Sequence, residues 1–397
     1  VGLSLGAYRR NFSGEQSPLD LEAALQLIYL LFTTDVTPVP EKLKVIMGMT
    51  AEYIEGLQRD PHHVFSNRVR YVNYGNCWYF KPMTKREFLR IDPFEACEYF
   101  SQCFRNPREF TVVLVGALQV EAALPLMRKY LGGIPARDTP VPLTPKEVTP
   151  LGFAFPKRVV HEEVRVPMIE SINATQITFP VTLHLEKDVG GMAEVLWVSL
   201  AARLLESRLL NLLRFKYGEV YTVQVTAFFG AEAPSQETHV RGDIAVNFSC
   251  NPEAAWRLRE LALDELERLQ EEGPSAQDVA TVLELEVRAY ELGQQENSHW
   301  LERITNAYQA KRFSGDVNQA YLTRERVRKE VLAACDAPAM REALRRIFPC
   351  PCRQRYTALT LLPQLPWYRR PVPLGLTLAS AALGVTSVYM YMRHRRR

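Results

Sequence analysis

Arg214 and Tyr221 lie seven positions apart in RLLESRLLNLLRFKYGEVYTVQV, residues 203–225. A guanidinium carries a fixed charge and five N–H donors, and a phenol adds one O–H donor. Such donors placed around a carbonyl stabilise the oxyanion that develops when it is attacked. The chemistry needs both side chains in one cleft, so the chain must reverse between them. The spacing supplies that reversal. Leu196, Leu200, Leu204, Leu205, Leu209, Leu212 and Leu213 recur at three- and four-residue intervals and predict a helix with one broad apolar face. Gly218 suits the left-handed residue that ends a helix. Beyond it the period becomes two, which predicts a strand with Tyr221, Val223 and Val225 on one face and Thr222, Gln224 and Thr226 on the other. The same residues also serve plain structure, since an arginine complements the helix dipole in a last turn and a tyrosine packs well at the start of a strand.

Other chemistry-bearing residues are sparser. The seven cysteines (77, 97, 103, 250, 335, 350 and 352) are odd in number and scattered, which is not a disulfide framework. Cys350-Pro-Cys352 suits a metal or a strained disulfide, but no second ligand pair accompanies it, and free thiols in a reducing compartment are expected. Three N-x-S/T sequons, at Asn11, Asn173 and Asn247, follow no secretory signal and read as chance matches. With 397 residues, 47% hydrophobic and 23% charged, the chain is long enough for two domains. Its net charge of +3 is small, and basic residues interleave with acidic ones along the helices, which argues against a nucleic-acid surface.

The elements that must position Arg214 and Tyr221 repeat along the chain. Val1–Tyr8 alternates like a strand, Ser17-Pro18 caps a helix to Phe32, and further helices are predicted to about Phe104. Phe110–Val115 reads as a buried strand before a short helix to Tyr130. Residues 135–167 are Pro-rich and read as an extended linker. Strands are expected around Asn173–Leu185, at the Tyr221 stretch, around Asp243–Ser249 and at Arg355–Leu362, with helices between. The strand at Val1–Leu5 matches that at Val220–Val225, and Phe110–Val115 matches Tyr356–Leu361. The reading is an α+β chain of two homologous domains, 1–134 and 168–365, each an antiparallel-rich sheet packed with helices. The first copy lacks the strand and long helix that precede Tyr221 in the second. The abrupt start at Val1 therefore leads us to expect the C-terminal part of something longer.

FSGEQSPLDLEAALQLIYLLFT (Phe12–Thr33), FTVVLVG with the later KYLGGIP (Phe110–Pro135), and LESRLLNLLRFKYGEVYTV, in this order, resemble the pitrilysin-like, or insulinase, zinc metallopeptidases. The resemblance covers about residues 1–362. It implies homologous α/β domains forming two halves that close around a peptide substrate, and zinc as the cofactor of the complete enzyme. Family chemistry uses an H-x-x-E-H helix, and no pair among His62, His63, His161, His184, His239, His299 and His394 has that spacing. The resemblance thus implies that this chain binds no zinc and works with an N-terminal catalytic half. It places Arg214 and Tyr221 at the family's substrate-gripping, oxyanion-binding positions. Phe215 departs from the pattern, which usually has glutamate there. The alternative is a non-catalytic, membrane-anchored scaffold of the same fold that binds peptides or a partner.

Leu374–Met392 is 19 residues without a charge, roughly 28 Å as a helix, flanked by Arg369-Arg370 and Arg393-His-Arg-Arg-Arg. It follows a Pro-rich joint, and Tyr389 and Tyr391 sit near one end as interfacial aromatics do. A C-terminal membrane anchor is expected rather than an apolar helix docked on the globular body, and its basic end suggests an organelle membrane, mitochondrial or plastid; without the anchor the expected location is soluble, in an organelle or the cytoplasm.

Overall fold

The computed structural model describes residues 2–135, 147–168, 173–184, 190–229, 239–309 and 316–364. The apolar stretch 374–392 lies outside them. Among the described residues no helix is long and apolar enough to cross a membrane.

An antiparallel hairpin opens the chain, β1 (Gly2–Leu5) against β2 (Arg10–Ser13). Helices α1 (Leu21–Thr33), α2 (Pro40–Leu57), α3 (Pro61–Asn73), α4 (Lys85–Phe88), α5 (Pro93–Cys103) and α6 (Val120–Tyr130) follow. Prolines at the first turns of α2, α3 and α5 need no N–H partner, and Asp60 and Asp92 cap α3 and α5 with their carboxylates. Leu21, Leu25, Ile28 and Phe32 of α1 bury against Ala123 of α6 and against Phe12, Phe110 and Leu114.

The second part is built on one mixed sheet. β3 (Val160–Val166), β4 (Ala174–His184), β5 (Val220–Phe229), β6 (His239–Cys250) and β7 (Thr357–Pro363) lie in the order β3-β7-β4-β6-β5, with β3 and β7 parallel and the other neighbours antiparallel. Helices α7 (Gly190–Leu209), α8 (Ala255–Glu271), α9 (Ala276–Gly293), α10 (Asn297–Gln309), α11 (Val317–Ala334) and α12 (Ala337–Ile347) complete it. The main core lies between one sheet face and α7, α8, α9, α11 and α12; Ile177, Phe179, Ile244 and Val246 meet Leu200, Leu204, Leu258, Leu263 and Leu344 there. The chain thus has the α+β architecture expected of it, and each part contains an antiparallel hairpin followed directly by a run of helices.

Two expectations fail. The segment 135–167 is not linker throughout, because Val160–Val166 pairs along its whole length with β7. Its valines alternate with charges (VHEEVRV), and the inward ones bury against Phe65, Val69 and Val72 of α3. Phe110–Val115 forms no regular element and joins no ladder among the described residues. Its Phe110 and Leu114 pack against α1 and α6 instead.

Candidate functional site

The long helix ends in a widened coil. Leu200, Leu204, Leu205, Leu209 and Leu213 are all fully buried and hold α7 on the sheet. Ion pairs pin its polar side, Arg203 to Glu286 at 2.9 Å and Arg208 to the buried Glu265 at 2.8 Å. From Leu210 to Lys216 the backbone is π-helical, with an extra residue per turn. Leu213 stays inside while Arg214, Phe215, Lys216 and Tyr217 all reach solvent. The coil closes with hydrogen bonds from the Tyr217, Gly218 and Glu219 N–H groups to the carbonyls of Leu212 (3.2 Å), Arg214 (2.9 Å) and Leu213 (3.2 Å). Gly218 takes φ +69°, the left-handed conformation expected of it.

The strand then departs from simple alternation. Val220 pairs with Cys250 and Val223 with Phe248, so three steps on β5 oppose two on β6. This bulge reverses the inward–outward sense before Val223. Val220, Val223 and Val225 face the core, and Tyr221 is 82% exposed rather than sharing the valine face.

The π coil, Gly218 and the bulge bring the expected pair together. The Arg214 guanidinium carbon lies 5.1 Å from the Tyr221 ring centre and 5.3 Å from that of Phe215, so two exposed aromatic rings flank it. No carboxylate pairs with Arg214 among the described residues. Its donors remain available to a ligand, and beside the phenol they suit a carbonyl or an oxyanion. Two neighbours escaped the sequence reading. Glu219 ion-pairs with Arg257 of α8, and Arg257 stands 5.6 Å from the Tyr217 ring centre. The second Glu219 carboxylate oxygen is buried and has no partner among the described residues. Burial, with the Glu219 charge, pushes the nearby Cys250 thiol up to about 11. The three-residue interval from Val220 to Val223 is the one local sign of the bulge.

Some histidines and cysteines are engaged elsewhere. Nε2 of His161 lies 2.9 Å from the Tyr356 hydroxyl, with its basicity lowered by burial and by the charge of Arg259. The backbone N–H of His63 donates to Asp60 in the cap of α3. Cys350 and Cys352 are free thiols, and burial pushes Cys352 up to about 12. Among the described residues no group of three His, Cys, Asp or Glu side chains is arranged to hold a metal ion.

Residues 91–285 match the family model described as the peptidase M16 inactive domain. A zinc protease PQQL-like protein of Arabidopsis thaliana is 43% identical over 346 residues, covering 87% of this chain and 36% of that one. The chain therefore spans about a third of the length of that relative. The periplasmic protease PqqL of Escherichia coli is similar in fold, with a TM-score of 0.62 at 15% identity, covering 87% of this chain and 35% of that one. The first half of PqqL gives 0.63 at 12% identity, covering 87% and 70%. The ferredoxin protease FusC, solved with Arabidopsis ferredoxin, gives 0.58 at 15% identity, covering 88% and 35%. With a sequence match and a fold that agree, the chain belongs to the pitrilysin-like M16 peptidase family and carries that family's inactive domain.

Proposed function

We propose that this chain is the substrate-gripping part of a zinc-dependent metalloendopeptidase, and that the zinc and its ligands reside in a separate catalytic half of the complete enzyme. Arg214 and Tyr221 donate hydrogen bonds to the scissile carbonyl as it becomes an oxyanion, and to the neighbouring peptide backbone. The observation that carries this reading is the exposed Arg214 guanidinium, close to both the Tyr221 and Phe215 rings and free of any carboxylate among the described residues. β5 is also the sheet's edge strand, against which an extended peptide can lie. Two surfaces suit contact with further polypeptide: the exposed hairpin β1–β2, and a stripe on α2 where Val45, Ile46, Met49 and Tyr53 face solvent.

The test is made in the assembled enzyme. Arg214→Ala or Tyr221→Phe lowers turnover by on the order of a hundredfold, the loss expected for one oxyanion donor, with zinc content unchanged. Unchanged turnover removes the pair from the mechanism. The second reading, a non-catalytic scaffold that binds peptides or a partner, is favoured by Phe215, where the family pattern usually has glutamate. It predicts no hydrolysis in any assembly but peptide binding that Arg214→Ala weakens.

The apolar run 374–392 adds a C-terminal anchor to the proposal, in an organelle membrane. The full chain then stays in the membrane fraction under alkaline extraction, and a chain ending at residue 365 is released. Release of both removes the anchor.

A further inference from the structure

A second cationic cluster lies between α9, α10 and α11 and shares no residue with the Arg214–Tyr221 surface. Arg328 stacks on Tyr290 with its guanidinium carbon 3.8 Å from the ring centre, and the Arg303 guanidinium lies 5.3 Å from the same centre. Nε of Arg303 donates to His299 Nε2 at 2.7 Å, so that nitrogen acts as acceptor and His299 is neutral; burial and the charge of Arg303 lower its basicity. Arg324 stands one turn from Arg328 on α11, and burial with the charge of Arg303 lowers its basicity too. The nearby carboxylates are Glu325, which accepts the Tyr290 hydroxyl, and Glu302.

This arrangement is costly as it stands. Like charges four apart on a helix repel. Buried polar groups nearly always have partners, and an orphan guanidinium nitrogen is the more expensive because it is charged. Nε and Nη2 of Arg328 are both buried, and neither has an acceptor among the described residues. Arg324 and Arg328 likewise lack an ion-pair partner there. Three guanidinia against two carboxylates leave a net positive charge, and one of those carboxylates is already engaged. Charge-assisted, forked donation of this kind is what guanidinium groups offer to planar or tetrahedral oxyanions.

We infer that Arg303, Arg324 and Arg328 form an oxyanion-binding site on the helical layer, walled by Tyr290 and taking a phosphate or carboxylate group. The bound anion supplies the acceptors that Arg328 lacks and relieves the repulsion among the three cations.

The experiment is thermal unfolding of the 397-residue chain at pH 7.5, titrated with inorganic phosphate and in parallel with acetate, at ionic strength held constant with chloride. Wild type shows a saturable rise in midpoint of roughly a few degrees. Arg328→Met and Arg324→Met abolish that rise, and each variant in chloride alone melts no lower than wild type, because a costly unpaired charge has gone. A response to phosphate alone assigns the site to phosphate-bearing ligands. An equal response to acetate keeps the site and assigns it to a carboxylate, such as an acidic side chain of neighbouring polypeptide. Equal responses in wild type and both variants reduce the effect to bulk salt and overturn the inference.

Discussion

Asp243 shows how one side chain can carry a pH dependence. It sits on β6 with Pro180 and Phe228 as its cross-strand partners, on the sheet face away from the main core. Burial raises its carboxyl from an ordinary 3.8 to about 6, although the charge of Arg241 pulls the other way. The folded state therefore holds this proton more tightly than the unfolded chain. The resulting penalty on ionised Asp243 is fully present above about pH 6 and vanishes below about 3.8. Asp243→Asn removes it, so the variant melts a few degrees above wild type at pH 8 and level with it near pH 3.8. A variant that melts lower at pH 8 shows that the ionised carboxylate stabilises the fold instead. His299 has the opposite sign. Its folded form resists protonation, so its contribution is lost as pH falls through 6.5, the ordinary value at which the unfolded chain gains its proton.

At the scale of the element, the turn joining α7 to β5 separates what local sequence declares from what it conceals. The leucine ladder of α7 and the left-handed Gly218 could both be read from spacing and residue type, because each depends on neighbours within a turn. So could β4 and β6, whose apolar alternation is long, and β7, a short apolar run buried almost throughout. The π coil and the bulge could not, since the second exists only in register with β6 and the first only where Leu213 must stay buried. β3 hid behind its charges, and Phe110–Val115 resembled a strand but joins no ladder among the described residues. The Arg214–Tyr221 pairing was legible, whereas its mechanism, a bulge that turns Tyr221 outward, was not. Gly218 gives the sharpest test of the turn. Nothing lies within 4 Å of the Cβ an alanine would add, so the cost of substitution is the left-handed backbone alone. Gly218→Ala should lose about 1 kcal/mol, and Gly218→Asn less because asparagine tolerates that region. Denaturant midpoints should fall in the order Gly, Asn, Ala; an alanine variant as stable as wild type means that the turn does not need the left-handed residue.

Across the whole molecule, the first part is fastened to the second by α3 and the chain that follows it. Phe65, Val69 and Val72 cover the β3–β7 edge of the sheet. Arg68 forms a bidentate pair with Glu162, and Arg241 reaches from β6 to the carbonyls of Phe153 at 3.0 Å and Asn73 at 2.8 Å. Arg355 holds the Phe155 and Pro156 carbonyls at 3.1 and 3.0 Å. At the centre the Thr357 hydroxyl donates to Asn73 Oδ1 at 2.6 Å, with Thr357 wholly buried and Asn73 nearly so. A buried pair of this kind stabilises modestly when made and costs more when half of it is removed. Asn73→Ala strands the hydroxyl, and Thr357→Val strands the amide oxygen, so each should lose about 1–3 kcal/mol. Neither touches the Asn73 carbonyl that Arg241 uses. The double variant leaves neither group stranded and should lose clearly less than the sum of the two, a coupling of about 1 kcal/mol. Because this joint ties α3 to the central sheet, the losses should appear as a lower midpoint of one cooperative transition. Strictly additive losses, or a first transition split from the second in wild type, would mean that the two parts fold independently and that this contact does not couple them.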